Sequence, residues 1–102
     1  MKIYVAGPYT RGDVVLNTRK AIQIGEKIAE LGHIPFIPHL TLFWHLIYPH
    51  TDIDFWYTYD NEWLKSCDAL YRIPGESTGA DAEVKLAISL GLPIYHNLGE
   101  IP

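Results

Sequence analysis

The sequence predicts an α/β fold, a flavodoxin-like or Rossmann-like three-layer sandwich. In it a small parallel sheet of strand order 2-1-3-4 is flanked by helices. Three observations carry this expectation. Short apolar runs alternate with longer stretches of helical periodicity along the chain, which implies right-handed crossovers and parallel pairing. Gly and Pro punctuate the ends of the runs. The 102 residues, 48% hydrophobic and 20% charged, suit one domain, taken as residues 1–102.

Lys2 to Ala6 reads as a short buried strand closed by Gly7-Pro8. Asp13 can cap a helix in which Val14, Ala21, Ile24, Gly25, Ile28 and Leu31 recur at helical spacing, with Gly32 as its left-handed terminator. His33 to Ile37 is the second strand, ended by Pro38. Residues 40 to 53 are apolar, aromatic and broken by Pro49, and they fit neither pattern cleanly. Asp54 to Ser66 reads as a helix. Asp68 to Ile73 is the third strand. Thr78 to Leu90 is the next helix, with Ala80, Val84, Ala87 and Ile88 on one side, and Pro93 to His96 is a short fourth strand. In such a sheet ligands bind beyond the carboxyl ends of the strands, where the strand order reverses. The segments expected there are Gly7 to Asp13, Pro38 to His39, and Pro74 to Gly79.

Composition narrows the partners. The net charge is −4 and Lys and Arg form no run, so a duplex nucleic acid is not expected as a ligand. The one cysteine, Cys67, lies in an apolar segment and reads as a buried thiol in a reducing compartment. No leader-like segment and no run of about 20 apolar residues is visible, so a cytoplasmic protein without a membrane span is expected. Eight of the thirteen aromatic residues lie between Phe43 and Trp63, and no Lys or Arg occurs from His39 to Leu64. A fold this small would struggle to bury them all, so the segment 43–59 reads as a homo-oligomer interface, ahead of a ligand-stacking wall.

The chemistry is expected around Ser77-Thr78-Gly79-Ala80-Asp81-Ala82-Glu83, at a strand–loop–helix junction. Thr78 and Asp81 have the spacing of a capping box, which leaves Glu83 without an obvious capping duty. Asp60 is the second candidate carboxylate; on its own it also suits a solvated helix face. Two carboxylates can divide the work of glycosidic cleavage, one as nucleophile and one as proton donor. Spacing gives no distance between Asp60 and Glu83. The loop Gly7-Pro8-Tyr9-Thr10-Arg11-Gly12-Asp13 ends at a helix start and suits sugar hydroxyls or a phosphate, with Arg11 able to pair with the latter. It has neither G-x-G-x-x-G nor a P-loop Lys. Ser77 has no neighbouring base and is expected to donate a hydrogen bond. His39 is placed to touch substrate. His39, His45 and His50 are spaced by six and five, which puts no pair on one helical face, so no metal is expected.

Three segments together resemble the nucleoside 2-deoxyribosyltransferase-like superfamily, which includes 2′-deoxynucleoside 5′-phosphate N-hydrolases. They are Lys2 to Pro8, Asp60-Asn61-Glu62-Trp63-Leu64 with Cys67-Asp68-Ala69-Leu70, and Ser77-x-Gly79-x-x-x-Glu83 with Ala87. The resemblance implies a covalent glycosyl-enzyme route without cofactor on a nucleoside or its 5′-monophosphate. Glu83 would be the nucleophile, Tyr4 would orient it, and Asp60 would assist departure of the base. Gly7, Pro8, Tyr9, Arg11, His39, Ser77 and Gly79 are expected to bind substrate from their place at the ligand edge of the sheet, and in the superfamily a neighbouring subunit commonly completes such sites. Ser77 stands where the transferases tend to carry an acidic residue, which favours a phosphorylated substrate. Ala82 replaces a residue that is often aromatic. The alternative is a nucleotide-binding module without catalysis.

Overall fold

A computed structural model describes residues 1–102, the side chain of Ile53 excepted. Its four strands are β1 (Lys2–Ala6), β2 (Ile34–Phe36), β3 (Ala69–Arg72) and β4 (Ile94–Tyr95). They pair in the order β2-β1-β3-β4, and every pairing is parallel. The helices are α1 (Val14–Glu30), α2 (Thr41–Ile47), α3 (Ile53–Lys65) and α4 (Thr78–Ser89), with short 3₁₀ turns at Pro38–Leu40 and Leu98–Glu100. The expected α/β fold and strand order are the ones observed.

Period-two alternation in β1 sorts the core into two layers. Ile3 and Val5 pack with Ala21, Ile24 and Ile28 of α1 on one face of the sheet. Tyr4 and Ala6 pack with Leu64 of α3 and Ala80 and Ala87 of α4 on the other. Each fully buried aliphatic side chain among them, such as Ile28 or Leu64, contributes about 1.5–3 kcal/mol of transfer free energy. The lone β1 tyrosine is thereby committed to the α3/α4 side.

Caps and breakers fix the ends. The Asp13 carboxylate accepts from the amides of Val15 and Leu16 at 2.9 and 3.0 Å and starts α1. Gly32, at φ +90°, ends it. Gly25 lets α1 lie directly on Ile37, since an added Cβ would stand 2.4 Å from Ile37 Cδ1. Pro35 is tolerated because β2 is an edge strand, paired only with β1.

The structure corrects three details. Residues 40–53 resolve into the 3₁₀ turn and α2, which stops before Pro49. His45 Nδ1 accepts from the His50 amide and from Trp56 Nε1, both at 3.2 Å, and so ties the α2–α3 connection together. The cap of α4 is Ser77, not Thr78: Ser77 has the extended backbone that capping needs, its Oγ accepts from the Ala80 amide at 3.1 Å, and Thr78 is already helical. Ile88 is 62% exposed and does not share the buried face of Ala80 and Ala87. Among the described residues no helix is long and apolar enough to cross a membrane.

Candidate active site

Tyr4 and Glu83 meet on the α3/α4 side of the sheet. The Tyr4 hydroxyl donates to Glu83 Oε2. Tyr4 is wholly buried, and its ring stacks on Phe36 at 5.5 Å, which stacks in turn on Trp63 at 5.3 Å. The tyrosine is thus held by packing, and its hydroxyl is aimed by the strand that carries it. Glu83 lies beyond the first turn of α4, where the helix dipole gives a carboxylate little help.

Asp60 of α3 faces the same space. Its Oδ1 is buried and, among the described residues, has no hydrogen-bond partner. Burial raises the Asp60 carboxyl from 3.8 to about 7, and the charge of Glu83 adds to the effect. Burial likewise raises Glu83 from 4.5 to about 7, against the opposing pull of the Tyr4 hydrogen bond and the Arg72 charge. Burial, then the charges of Glu83 and Asp60, hold Tyr4 well above the usual tyrosine range. Tyr9 is raised by burial and by Asp60, so it also borders the crevice. Two carboxyls whose charges interact titrate as a pair. Near neutral pH the crevice therefore has both a carboxylic acid and a carboxylate to offer, the division of labour that proton transfer with nucleophilic attack requires.

The loop after β1 forms the rim. Gly7 is required by close approach, because an added Cβ would stand 2.9 Å from Ile73 Cβ. Asn17 of α1 donates to the carbonyls of Tyr9 and Arg11 at 2.9 and 2.8 Å and staples the loop down. His39 is only 4% exposed. Its Nε2 bonds to the Pro8 carbonyl at 2.8 Å, and its ring meets Tyr9 edge-on at 5.4 Å. Burial lowers its pKa, so the ring is neutral and donates from Nε2. His39 thus supports the loop from beneath and reaches the crevice through Pro8 and Tyr9. Arg11 pairs with Glu76 at 2.9 Å, both side chains exposed, linking the loop after β1 to the loop after β3. Ser77 Oγ accepts from the helix amide, which leaves its proton free to donate. Gly79 sits beside Tyr57, since a Cβ there would stand 3.9 Å from Tyr57 Cε1.

Tyr4, Tyr9, Asp60 and Glu83 are therefore brought together, while Gly7, Pro8 and Arg11 form the rim and Ser77 and Gly79 the start of α4. A cavity of about 290 Å³, lined by Phe36, Trp44 and Tyr59 among others, shares Phe36 with the Tyr4 stack. Reasoning from sequence missed Phe36, Trp63 and Arg72. The signal for Arg72 was a cation ending an otherwise apolar strand.

A family model described as "Domain of unknown function (DUF7768)" matches residues 1–97. No curated protein matches the chain. Among solved structures, the 2-deoxyribosyltransferase from the psychrotolerant bacterium Bacillus psychrosaccharolyticus superposes with a TM-score of 0.70 at 23% identity, over 92% of this chain and 69% of that one. That protein is described as a biocatalyst for nucleoside synthesis. The likeness shows a shared fold, the one that the sequence resemblance implied.

Proposed function

The chain belongs to the family described as Domain of unknown function (DUF7768), and from that premise and the Tyr4–Glu83–Asp60 crevice we propose that it cleaves or exchanges the N-glycosidic bond of (deoxy)nucleosides or their 5′-monophosphates. The observation that carries the reading is the part-buried Tyr4-to-Glu83 hydrogen bond beside Asp60 Oδ1, which has no partner among the described residues.

In the proposed route, Tyr4 holds Glu83 Oε2 and leaves Oε1 to attack C1′ of the sugar. The C1′–N bond breaks and its electron pair leaves with the base. Asp60, in its acid form, supplies the proton to that base nitrogen. The product is a glycosyl ester on Glu83. An acceptor base or water then attacks C1′, the ester bond breaks, and its electron pair returns to the Glu83 carboxylate. The proton lost by the acceptor goes to Asp60. The two steps need a nucleophile and a mobile proton and no cofactor.

Substrate groups find complementary chemistry around Tyr4 and Glu83 in two places. The flat walls of Phe36, Trp44 and Tyr59 suit a base. A 5′-phosphate would accept from Ser77 and from Arg11, after Arg11 gives up Glu76. Phe43, Ile47 and Tyr48, each 71% exposed, favour a second copy of the chain as the partner that covers the aromatic segment.

The test is chromatographic detection of free base from deoxynucleosides and deoxynucleoside 5′-monophosphates, with and without a second base. Release that falls by about 10²-fold or more in Glu83→Gln and Asp60→Asn supports the proposal. Exchange that requires the second base marks a transferase, and release without one marks a hydrolase. Undiminished turnover in Glu83→Gln would remove the covalent role. Absence of turnover, with a nucleotide still raising the melting temperature, would establish the binding module instead.

A further inference from the structure

Arg72 ends β3, paired with Ala6 of β1, and its side chain is only 12% exposed. A guanidinium so enclosed needs partners for its fixed fork of donors. It finds them in three places. Nη1 donates to the Ile73 carbonyl, and Nη2 donates to the Gly75 carbonyl and to Asp81 Oδ1, both at 2.9 Å. One side chain thus gathers the strand end, the loop after it and the first turn of α4.

The gathering reaches the loop after β1 as well. Gly75, at φ +125°, packs so tightly on the first loop that an added Cβ would stand 2.8 Å from Pro8 Cγ. Pro8 is in turn held by His39. Tyr4 from β1 bonds to Glu83, Asp60 from α3 feels its charge, and Arg72 from β3 is tied to the same helix through Asp81, two residues before Glu83. Among the described residues, Arg72 is the one cation whose charge acts on Glu83. Asp81 is largely solvated, so it neutralises Arg72 only in part.

We propose that Arg72 is the positioning residue of the crevice: it locks the 73–76 loop and the first turn of α4 against the end of β3, and it supplies the positive charge that keeps Glu83 available as an anion. The proposal rests on Glu83 as the working carboxylate. It makes no demand on the identity of the reaction. Its electrostatic half agrees with the direction in which Arg72 shifts Glu83.

The test is a carboxyl carbon NMR titration of Glu83 in the free protein, the resonance being assigned by its loss in Glu83→Gln. It is combined with backbone amide exchange over residues 75–81. In Arg72→Met the Glu83 midpoint rises by about half a pH unit or more. In Arg72→Lys the charge persists and the midpoint stays nearer the parent, but an ammonium cannot span the three acceptors, so amide exchange over 75–81 accelerates. An unmoved midpoint in folded Arg72→Met overturns the electrostatic claim, and unchanged exchange in Arg72→Lys overturns the locking claim. If Arg72→Met does not fold, the exchange result in Arg72→Lys decides. Neither readout needs turnover, so failure of base release would leave the role of Arg72 to be judged separately.

Discussion

Glu83→Gln should make the protein more stable above neutral pH while it abolishes the proposed chemistry. The sign follows from proton binding. Burial raises the Glu83 carboxyl from 4.5 to about 7, so between those values the folded chain holds a proton that the unfolded chain has released. Stability therefore falls as pH rises through that window, and the cost is full above it. Each pH unit of displacement is worth about 1.4 kcal/mol, so an ionised Glu83 costs the fold about 3 kcal/mol. Gln removes that cost. It still accepts from Tyr4, and the displacement to about 7 already includes the favourable bond from Tyr4 to the carboxylate. A gain of about 3 kcal/mol is therefore expected at pH 8. Near pH 4 the carboxyl is protonated in both states, and the gain should vanish. Asp60, raised from 3.8 to about 7, moves in the same direction and ionises more easily once Glu83 is neutral, which adds to the effect at high pH. Urea denaturation of both proteins at pH 4 and pH 8 measures this directly, through the midpoint at constant slope. A gain of equal size at both pH values, or a loss at pH 8, would refute the claim that a buried charge strains this crevice.

Two further outcomes can be checked on purified protein. Gly7→Ala should lose about 1–3 kcal/mol, because its Cβ would stand 2.9 Å from the stiff, branched Cβ of Ile73 and the ends of β1 and β3 cannot part without breaking their ladder. An unchanged denaturation midpoint would show that the junction yields easily. The chain should sediment as a dimer or larger assembly, and Phe43→Ser combined with Ile47→Ser, both at strongly exposed positions, should reduce it to a monomer. A monomeric parent protein would refute the interface.

The legible parts of the fold were those written in local patterns. The short apolar run Lys2–Ala6, the 3.6-residue period after Asp13, and Gly32 and Pro38 as stops predicted elements that match the observed ones to within a few residues at each end. The segment after Pro38 stayed ambiguous because aromatic residues suit a helix or a strand alike. What settled α2 was the mutual packing of Trp44, His50, Phe55 and Trp56 and the bonds to His45. Ser77 and Thr78 are both good capping residues, and only the backbone angles choose between them.

The site was legible as a set of residue types and illegible as a geometry. By itself the sequence determined the parallel α/β architecture, because hydrophobic periodicity and breakers are properties of neighbours in the chain. It also marked Glu83 and Asp60 as candidate carboxylates, and resemblance to a known superfamily added Tyr4. The tertiary structure alone decided that Tyr4 bonds to Glu83 across a sequence separation of 79 residues and that His39 lies beneath the loop. It also decided that Arg72 binds the loop and the helix together. Burial and charge proximity depend on which distant segments share a layer, and no local pattern records that. The same physics raises both carboxyls toward neutrality. Desolvation is a property of the assembled crevice and of no single residue in it.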